Sequence, residues 1–505
     1  MKEHHCNTLI IGAGPAGLTA GHALGKAGRH VTVLEKDGIV GGIARTETHD
    51  GYAFDIGGHR FFTKVDVIND LWKELLPPED WISCKRLSRI YYHKTFFYYP
   101  LRLGNVLTGL GPWNSFLILM SYLRARIVPH PKEETFEEWV VNRFGQRLYA
   151  TFFRSYTEKV WGIPCSEIQA DWAAQRIQGL SFVSVIKNAL LGSVAVNSKR
   201  QIKTLIDSFE YPRLGPGMLW GRTAEKIKEL GGEVRLNTSV ERIQMDGNRV
   251  VAVETNGGGT RERWTADHFI SSMPLRDWVE ALSPPPPPEV LQAAKHLKYR
   301  DFLTVALMIN RAEIFPDNWI YIHDPDVKVG RVQNFKNWSP EMVPDPDKTC
   351  LGLEYFCFEG DGLWSMDDEA LVALAGRELA EINLVRESEI EGGVVIRMPK
   401  AYPVYDNLYA ESVRVLRAYM ESLSNAQTVG RNGMHRYNNQ DHSMLTALMA
   451  AHNVGGETHN PWEVNLESDY HENKGPGDAA REKLYRDLAA TQPPVPKRKE
   501  TRKEE

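Results

Sequence analysis

Nothing in this chain narrows its architecture more than residues 7–36, NTLIIGAGPAGLTAGHALGKAGRHVTVLEK. An apolar run leads into Gly12, an Ala- and Leu-rich stretch at helical spacing follows, and the β-branched run VTVLE closes the segment. That order predicts one βαβ unit with two buried parallel strands. Gly12, Gly14 and Gly17 form GxGxxG in the turn. The first glycine permits the turn, the second lets a pyrophosphate approach, and the third lets helix and strand pack closely. Ala16 lies in the first helical turn, where N–H groups and the helix dipole favour phosphate. Glu35, with Lys36 beside it, ends the second strand 18 residues past Gly17 (35 − 17). An acid there binds ribose hydroxyls and disfavours a 2′-phosphate, so the residues alone allow FAD or NAD, not NADP.

The bulk properties exclude several classes. A length of 505 residues supplies two or three domains' worth of core. A net charge of −5 gives no global basic field for nucleic acid. The five cysteines are odd in number and form no CxxC, which suits a reducing compartment and speaks against disulfides or a zinc site. We expect no metal. The run FLILMSYL, 116–123, is too short to span a bilayer and ends at Arg124 and Arg126. It reads as a core helix with a snorkelling basic end in preference to a membrane-surface helix. A soluble cytoplasmic protein with no stable membrane insertion is expected.

Along the chain, residues 65–200 read as mainly helical, and strand-like runs dominate from FLTVALMI to GGVVIRM. Near the end, AQTVGRNGMHRYNNQDHSMLTALMAA reads as strand, glycine-rich turn and helix, before a Pro- and charge-rich tail. No Ser-His-Asp or HExxH spacing occurs.

The continuation GGIARTETHDGYAFDIGGHRFF adds Gly41, Gly42 and Arg45, then Gly57, Gly58, His59 and Arg60. From the residues alone, His59 and Arg60 are a hydrogen-bonded histidine and a solvated arginine in a turn. This continuation resembles the large flavoprotein group that includes amine oxidases, protoporphyrinogen oxidases and sugar-nucleotide mutases. The resemblance implies FAD, with Gly42 and Arg45 near the pyrophosphate and Gly57, Gly58 and His59 beside the flavin ring. Val240, in the middle nucleotide-type segment, is assigned to the same cofactor.

In YTEKVWGIPCSEIQADWAAQR, 156–176, aromatic side chains cluster with a terminal arginine. Read from the residues, such a cluster in a helical region is core. The segment nevertheless resembles the substrate segment of UDP-galactopyranose mutases. The likeness implies that Phe152, Tyr156 and Trp161 hold uridine and that Arg176 holds the diphosphate. The stretch GRNGMHRYNNQDHS, 430–443, is a second match. There the resemblance puts Gly430 and Arg431 near flavin and substrate, Tyr437 on the diphosphate, and Asn439, Gln440 and Asp441 by the flavin. The strand pair RIYYHKTFFYYP is a third echo. Two departures stand out. Leu101 and Arg102 follow Pro100 where the mutases have a glutamine, and the second diphosphate arginine has no clear counterpart, Arg300 and Arg311 being the candidates.

The expected fold is α/β: a discontinuous Rossmann-like FAD-binding domain (1–65, 206–275 and 406–460) with a mainly helical insert (66–205) and a mixed β-sheet substrate domain (276–405). Residues 461–505 form a C-terminal extension. The implied activity is pyranose–furanose isomerisation of a UDP-linked sugar, with reduced flavin as the N5 nucleophile and Arg176, His59, Tyr437 and Arg431 in the catalytic set. It needs a flavin reductant such as NAD(P)H and leaves a homodimer open. The alternatives are an FAD-dependent oxidoreductase of the amine oxidase or protoporphyrinogen oxidase type, and a non-catalytic flavin-binding partner in glycan assembly.

Overall fold

The apolar runs of this chain are laid into two large sheets joined by a helical region. The computed structural model describes residues 1–99, 103–170 and 208–465. Arg176, Leu101, Arg102 and the C-terminal tail lie outside the described residues.

The first sheet has eight strands drawn from three separate stretches of chain. Lys2–Ile11 lies between Val31–Leu34 and Thr260–Ser271, parallel to both. Glu233–Arg235 extends one side in parallel, and Ala426–Thr428 pairs in parallel with Thr260–Ser271. Ser239–Asp246 and Arg249–Gly257 add an antiparallel pair. Alternation along the first strand sends Ile10 to one face and Leu9 and Ile11 to the other. Ile10 packs with Leu18, Trp220, Ile227 and Met444. Leu9 and Ile11 pack with Phe269, Trp278 and Leu416. Both faces are thus covered, as a parallel sheet requires.

The second sheet has seven strands in the order 390–403, 299–309, 349–357, 331–334, 319–322, 88–92 and 95–98. Its second strand, Tyr299–Ile309, is buried throughout. Leu303, Val305 and Leu307 face the helix Asp368–Glu381, while Ala306 and Met308 pack with Phe54 and Trp338.

The region expected to be mainly helical differs in its first third. After the helix Asp66–Leu75, Trp81–Lys85, Ser88–Tyr92 and Thr95–Tyr98 are strands, and helix resumes at Leu103. The cause is local: aromatic and β-branched residues flank a two-residue turn whose His93 and Lys94 both have positive φ, 44° and 60°, which closes a hairpin. Helices then run Leu103–Ile127, Phe136–Phe144 and Ser155–Trp161. Thr135 caps the second by accepting from the Glu138 N–H, while Glu138 accepts back from the Thr135 N–H at 3.0 Å. A π-turn over Ala150–Arg154 precedes the third.

The core-helix expectation for 116–123 is overturned. Ile118 and Ala125 are buried, but Trp113, Phe116, Leu119, Met120, Leu123 and Ile127 are exposed. The helix breaks at Gly111 (φ 77°, ψ 163°), just before Pro112.

Candidate functional site

The carboxyl ends of the parallel strands in the first sheet converge, which is where open α/β sheets hold ligands. Gly12 follows Lys2–Ile11 with φ 97°, and a Cβ there would lie 2.3 Å from Ser272 Oγ, just past the neighbouring strand. Gly17 is fixed by contact, because a Cβ would come within 1.8 Å of the Gly12 carbonyl oxygen. Gly14 differs: a Cβ there would meet only Gly42 Cα, at an ordinary contact distance of 3.8 Å, so the two glycine backbones lie against one another. Gly430 (φ 82°) closes the ring, with a virtual Cβ 3.0 Å from Ala16 Cβ. Glu35 lies buried at the end of Val31–Leu34, where its carboxylate accepts from Ala13 N–H at 2.7 Å and Asp37 N–H at 3.0 Å. Burial pushes its carboxyl up. Arg45 pairs with Asp37 and Glu47 at 2.9 and 2.6 Å, while Lys36 is exposed and Val240 half-buried at the start of its strand.

The stretch Ile56–Arg60 carries the chain from this cradle onto the second sheet. A Cβ on Gly57 would lie 3.6 Å from Arg331 Nη2, and one on Gly58 would lie 3.0 Å from Gln333 Nε2. Arg331 pairs with Glu354 at 2.5 Å, and Glu354 also accepts from Gln333 at 2.8 Å. The buried Nδ1 of His59 has no hydrogen-bond partner at normal geometry. Desolvation, with Arg431 and Arg331 adding to it, pushes the His59 imidazole down to about 3, so it is neutral near pH 7. Gln440 opens the helix Gln440–Val454 and donates to the Arg60 carbonyl at 3.2 Å, yet its own Oε1 is a buried acceptor without a donor. Asn439 is the N-cap of that helix and Asp441 is buried in its first turn. The glycine cradle and these two orphaned polar atoms fit a dinucleotide whose ring end reaches His59 and Gln440.

Arginines and aromatic rings line the other side. Arg431 is held by the carbonyls of Asn438 (2.9 Å) and Ala401 (3.2 Å), with its guanidinium 4.5 Å from the Tyr437 ring centroid. Tyr437 stacks on Tyr402 at 5.5 Å, and Trp161 meets both edges at 6.5 and 6.3 Å. Tyr156 stacks flat on His323 at 4.6 Å and meets Tyr321 edge-on. Phe152 is instead buried against Phe97 and Tyr92 in the helical core. Arg60 and Arg86 each lie within 6 Å of the Trp319 ring, at 5.9 and 5.8 Å. Arg60 is solvent-exposed by area, yet desolvation and the nearby Arg86 push its guanidinium down; an arginine lining a deep cleft behaves so.

Arg300 and Arg311 are spent elsewhere. Arg300 donates to the carbonyls of Val160 (3.1 Å) and Phe356 (2.8 Å), pinning the end of Ser155–Trp161 to the second sheet. Arg311 pairs with Glu389 at 3.1 Å. Arg331, Glu354, Tyr321, His323 and Tyr402 were not singled out from the sequence. The one available signal was Glu354, a lone acid in the apolar run CLGLEYFCF, which must find a partner if that strand is buried. Among the described residues, one group of metal-ligand type has its atoms within 4.8 Å: His452, Glu457 and His459, at the far end of Gln440–Val454. There Glu457 bridges the two imidazoles at 2.9 and 2.8 Å and fastens the following loop.

The family model described as "Flavin containing amine oxidoreductase" matches residues 15–417. A crystal structure of reduced UDP-galactopyranose mutase superposes with a TM-score of 0.80 at 20% identity, covering 92% of this chain and 98% of that one. A protein provisionally named protoporphyrinogen oxidase, from Exiguobacterium sp. 255-15, gives 0.68 at 16% identity, covering 90% and 99%. At these identities the likeness is one of fold. A "probable UDP-galactopyranose mutase" from Klebsiella pneumoniae is 24% identical over 174 residues, 32% of this chain and 43% of that protein. The chain spans about half the length of the curated relatives it matches.

Proposed function

This chain belongs to the flavin-containing amine oxidoreductase family, and we propose that within it the protein is an FAD-dependent nucleotide-sugar mutase of the UDP-galactopyranose/galactofuranose type. The observation that carries this reading is the charge of the cleft. Arg331 and Arg431 both act on His59, Arg86 and Arg331 both act on Arg60, and the one carboxylate hydrogen-bonded in this set, Glu354, is already paired with Arg331. A protonated amine is repelled by such a cluster, whereas a nucleoside diphosphate is attracted.

FAD, when bound, supplies a reduced ring nitrogen able to displace a nucleoside diphosphate from an anomeric carbon. The chain's own part is electrostatic. Arg431, fixed by two backbone carbonyls, the exposed Arg60 and the half-buried Arg331 stabilise the two charges that gather on the leaving diphosphate. Because these groups are held before the reaction, little reorganisation is needed as the bond breaks. Arg176, outside the described residues, is assigned to the same diphosphate. Tyr156 offers a flat face to a base, while the buried Trp161 backs the Tyr402–Tyr437 pair. His59 stays neutral and so adds no further positive charge against the flavin ring. An external donor such as NAD(P)H keeps the flavin reduced, and the reaction belongs to the cytoplasm, where nucleotide sugars are made.

Thermal melting of the FAD-loaded protein with and without UDP tests this reading. UDP should raise the melting temperature, and Arg176→Ala should weaken UDP binding about tenfold or more, the worth of one charge-assisted pair, while the protein stays yellow. A protein that ignores UDP but is stabilised by a simple amine would favour the oxidoreductase reading instead.

A further inference from the structure

The helix Leu103–Ile127 carries large apolar side chains into solvent. Gly104–Ile127 is long and apolar enough by composition to cross a membrane. However, the break at Gly111 leaves only residues 112–127 as continuous helix, 16 residues (127 − 112 + 1), short of the roughly 20 a span requires. Trp113 is 70% exposed and Ile127 79%, with Phe116, Leu119, Met120 and Leu123 between them also exposed. Their spacing puts them on one stripe. At 3.6 residues per turn, Trp113, Phe116, Leu119, Met120, Leu123 and Ile127 fall within an arc of about 120°. Arg124 lies about 20° beyond one edge of that arc and Arg126 about 20° beyond the other. The opposite face holds Ile118 and Ala125, which are buried.

The helix Leu103–Ile127 itself carries Arg124 and Arg126 and no Asp or Glu, and the first acids beyond it are Glu133 and Glu134, the latter paired with Lys132 at 3.4 Å. Residues 81–132 contain no Asp or Glu over 52 positions (132 − 81 + 1) and eight Lys or Arg, in a chain whose net charge is −5. Arg124, Arg126 and His130 are all exposed at or just past the helix end. We propose that the helix 112–127 docks the protein on the surface of an anionic lipid bilayer. In that pose Trp113 and Phe116, stacked at 6.0 Å, lie at the headgroup–acyl boundary and the two arginines reach sideways to lipid phosphates. A second copy of the chain is the less favourable occupant. A two-fold interface brings a patch against itself, and this patch has basic edges with no acid in its own stretch to pair them.

The test is co-sedimentation of the full-length FAD-loaded protein with vesicles of phosphatidylcholine alone or mixed with phosphatidylglycerol. The protein should pellet with the mixed vesicles and be released by salt. Phe116→Glu and the pair Arg124→Glu/Arg126→Glu should each lower the apparent affinity about tenfold, with melting temperature and flavin absorbance unchanged. Wild-type protein that stays in the supernatant overturns the proposal, as does binding that neither variant reduces. A wild-type dimer in solution that Phe116→Glu splits into monomers would assign the stripe to self-association and overturn it as well.

Discussion

Glu354 has no exposed side-chain surface and holds Arg331 at 2.5 Å across adjacent strands of the second sheet. Removing the acid alone strands a buried guanidinium. Glu354→Ala should therefore cost about 3–5 kcal/mol of stability, measured as a shift in urea midpoint. The double replacement Arg331→Met/Glu354→Met removes both charges and should recover most of that loss, because the desolvation of the pair offsets much of its attraction. It should nonetheless weaken UDP binding, since the cleft loses a cation. Stability without UDP affinity in the double variant separates the structural role of Arg331 from its role toward ligand.

The glycine turn makes a finer distinction. Both Gly14 and Gly17 belong to GxGxxG, but only at Gly17 would a Cβ clash with the chain's own backbone. Gly17→Ala should prevent folding or cost several kcal/mol, because its methyl has no space beside the Gly12 carbonyl. Gly14→Val should give a folded protein that does not take up FAD, seen as a normal far-ultraviolet spectrum without flavin absorbance. A yellow Gly14→Val protein would contradict the proposal that the pyrophosphate lies against Gly14. The nucleotide-type unit was legible in the sequence for this reason: backbone requirements confined to one short segment leave a local signature. The second sheet was legible as strands, since FLTVALMI and CLGLEYFCF are buried on both sides. Within the region expected to be mainly helical, the hairpin closed at His93–Lys94 was legible as the strand pair of RIYYHKTFFYYP, whereas the strand Trp81–Lys85 was not, because its partner Ser208–Pro212 lies far along the chain. The helix 112–127 was misread for a different reason. An apolar stripe marks which face avoids water, and says nothing of whether protein or something else covers it.

Among the described residues, four imidazoles are held neutral by desolvation. Burial pushes His22 down to about 4 and His59, His323 and His435 down to about 3. Between those values and the ordinary 6.5 the unfolded chain binds protons that the folded chain does not. Stability therefore rises with pH across that window and is lost as pH falls from 6.5 toward 3. Each histidine removes about 2 kcal/mol at pH 5, so urea midpoints should drop steeply between pH 7 and 5, and His435→Phe should flatten the drop. The candidate cleft was only half legible for a related reason. Trp161, Arg431, Tyr437 and Gln440 come from segments whose motifs are local, but Arg60, Arg331 and Tyr402 acquire their surroundings only when the two sheets meet. Whether that assembled cleft performs mutase chemistry is decided by incubating the dithionite-reduced protein anaerobically with UDP-galactofuranose and separating the nucleotide sugars. Conversion to UDP-galactopyranose with reduced flavin and none with oxidised flavin is the predicted result. Oxidation of an amine or another reduced substrate by the FAD-loaded protein, with UDP-galactofuranose recovered unchanged, would contradict it.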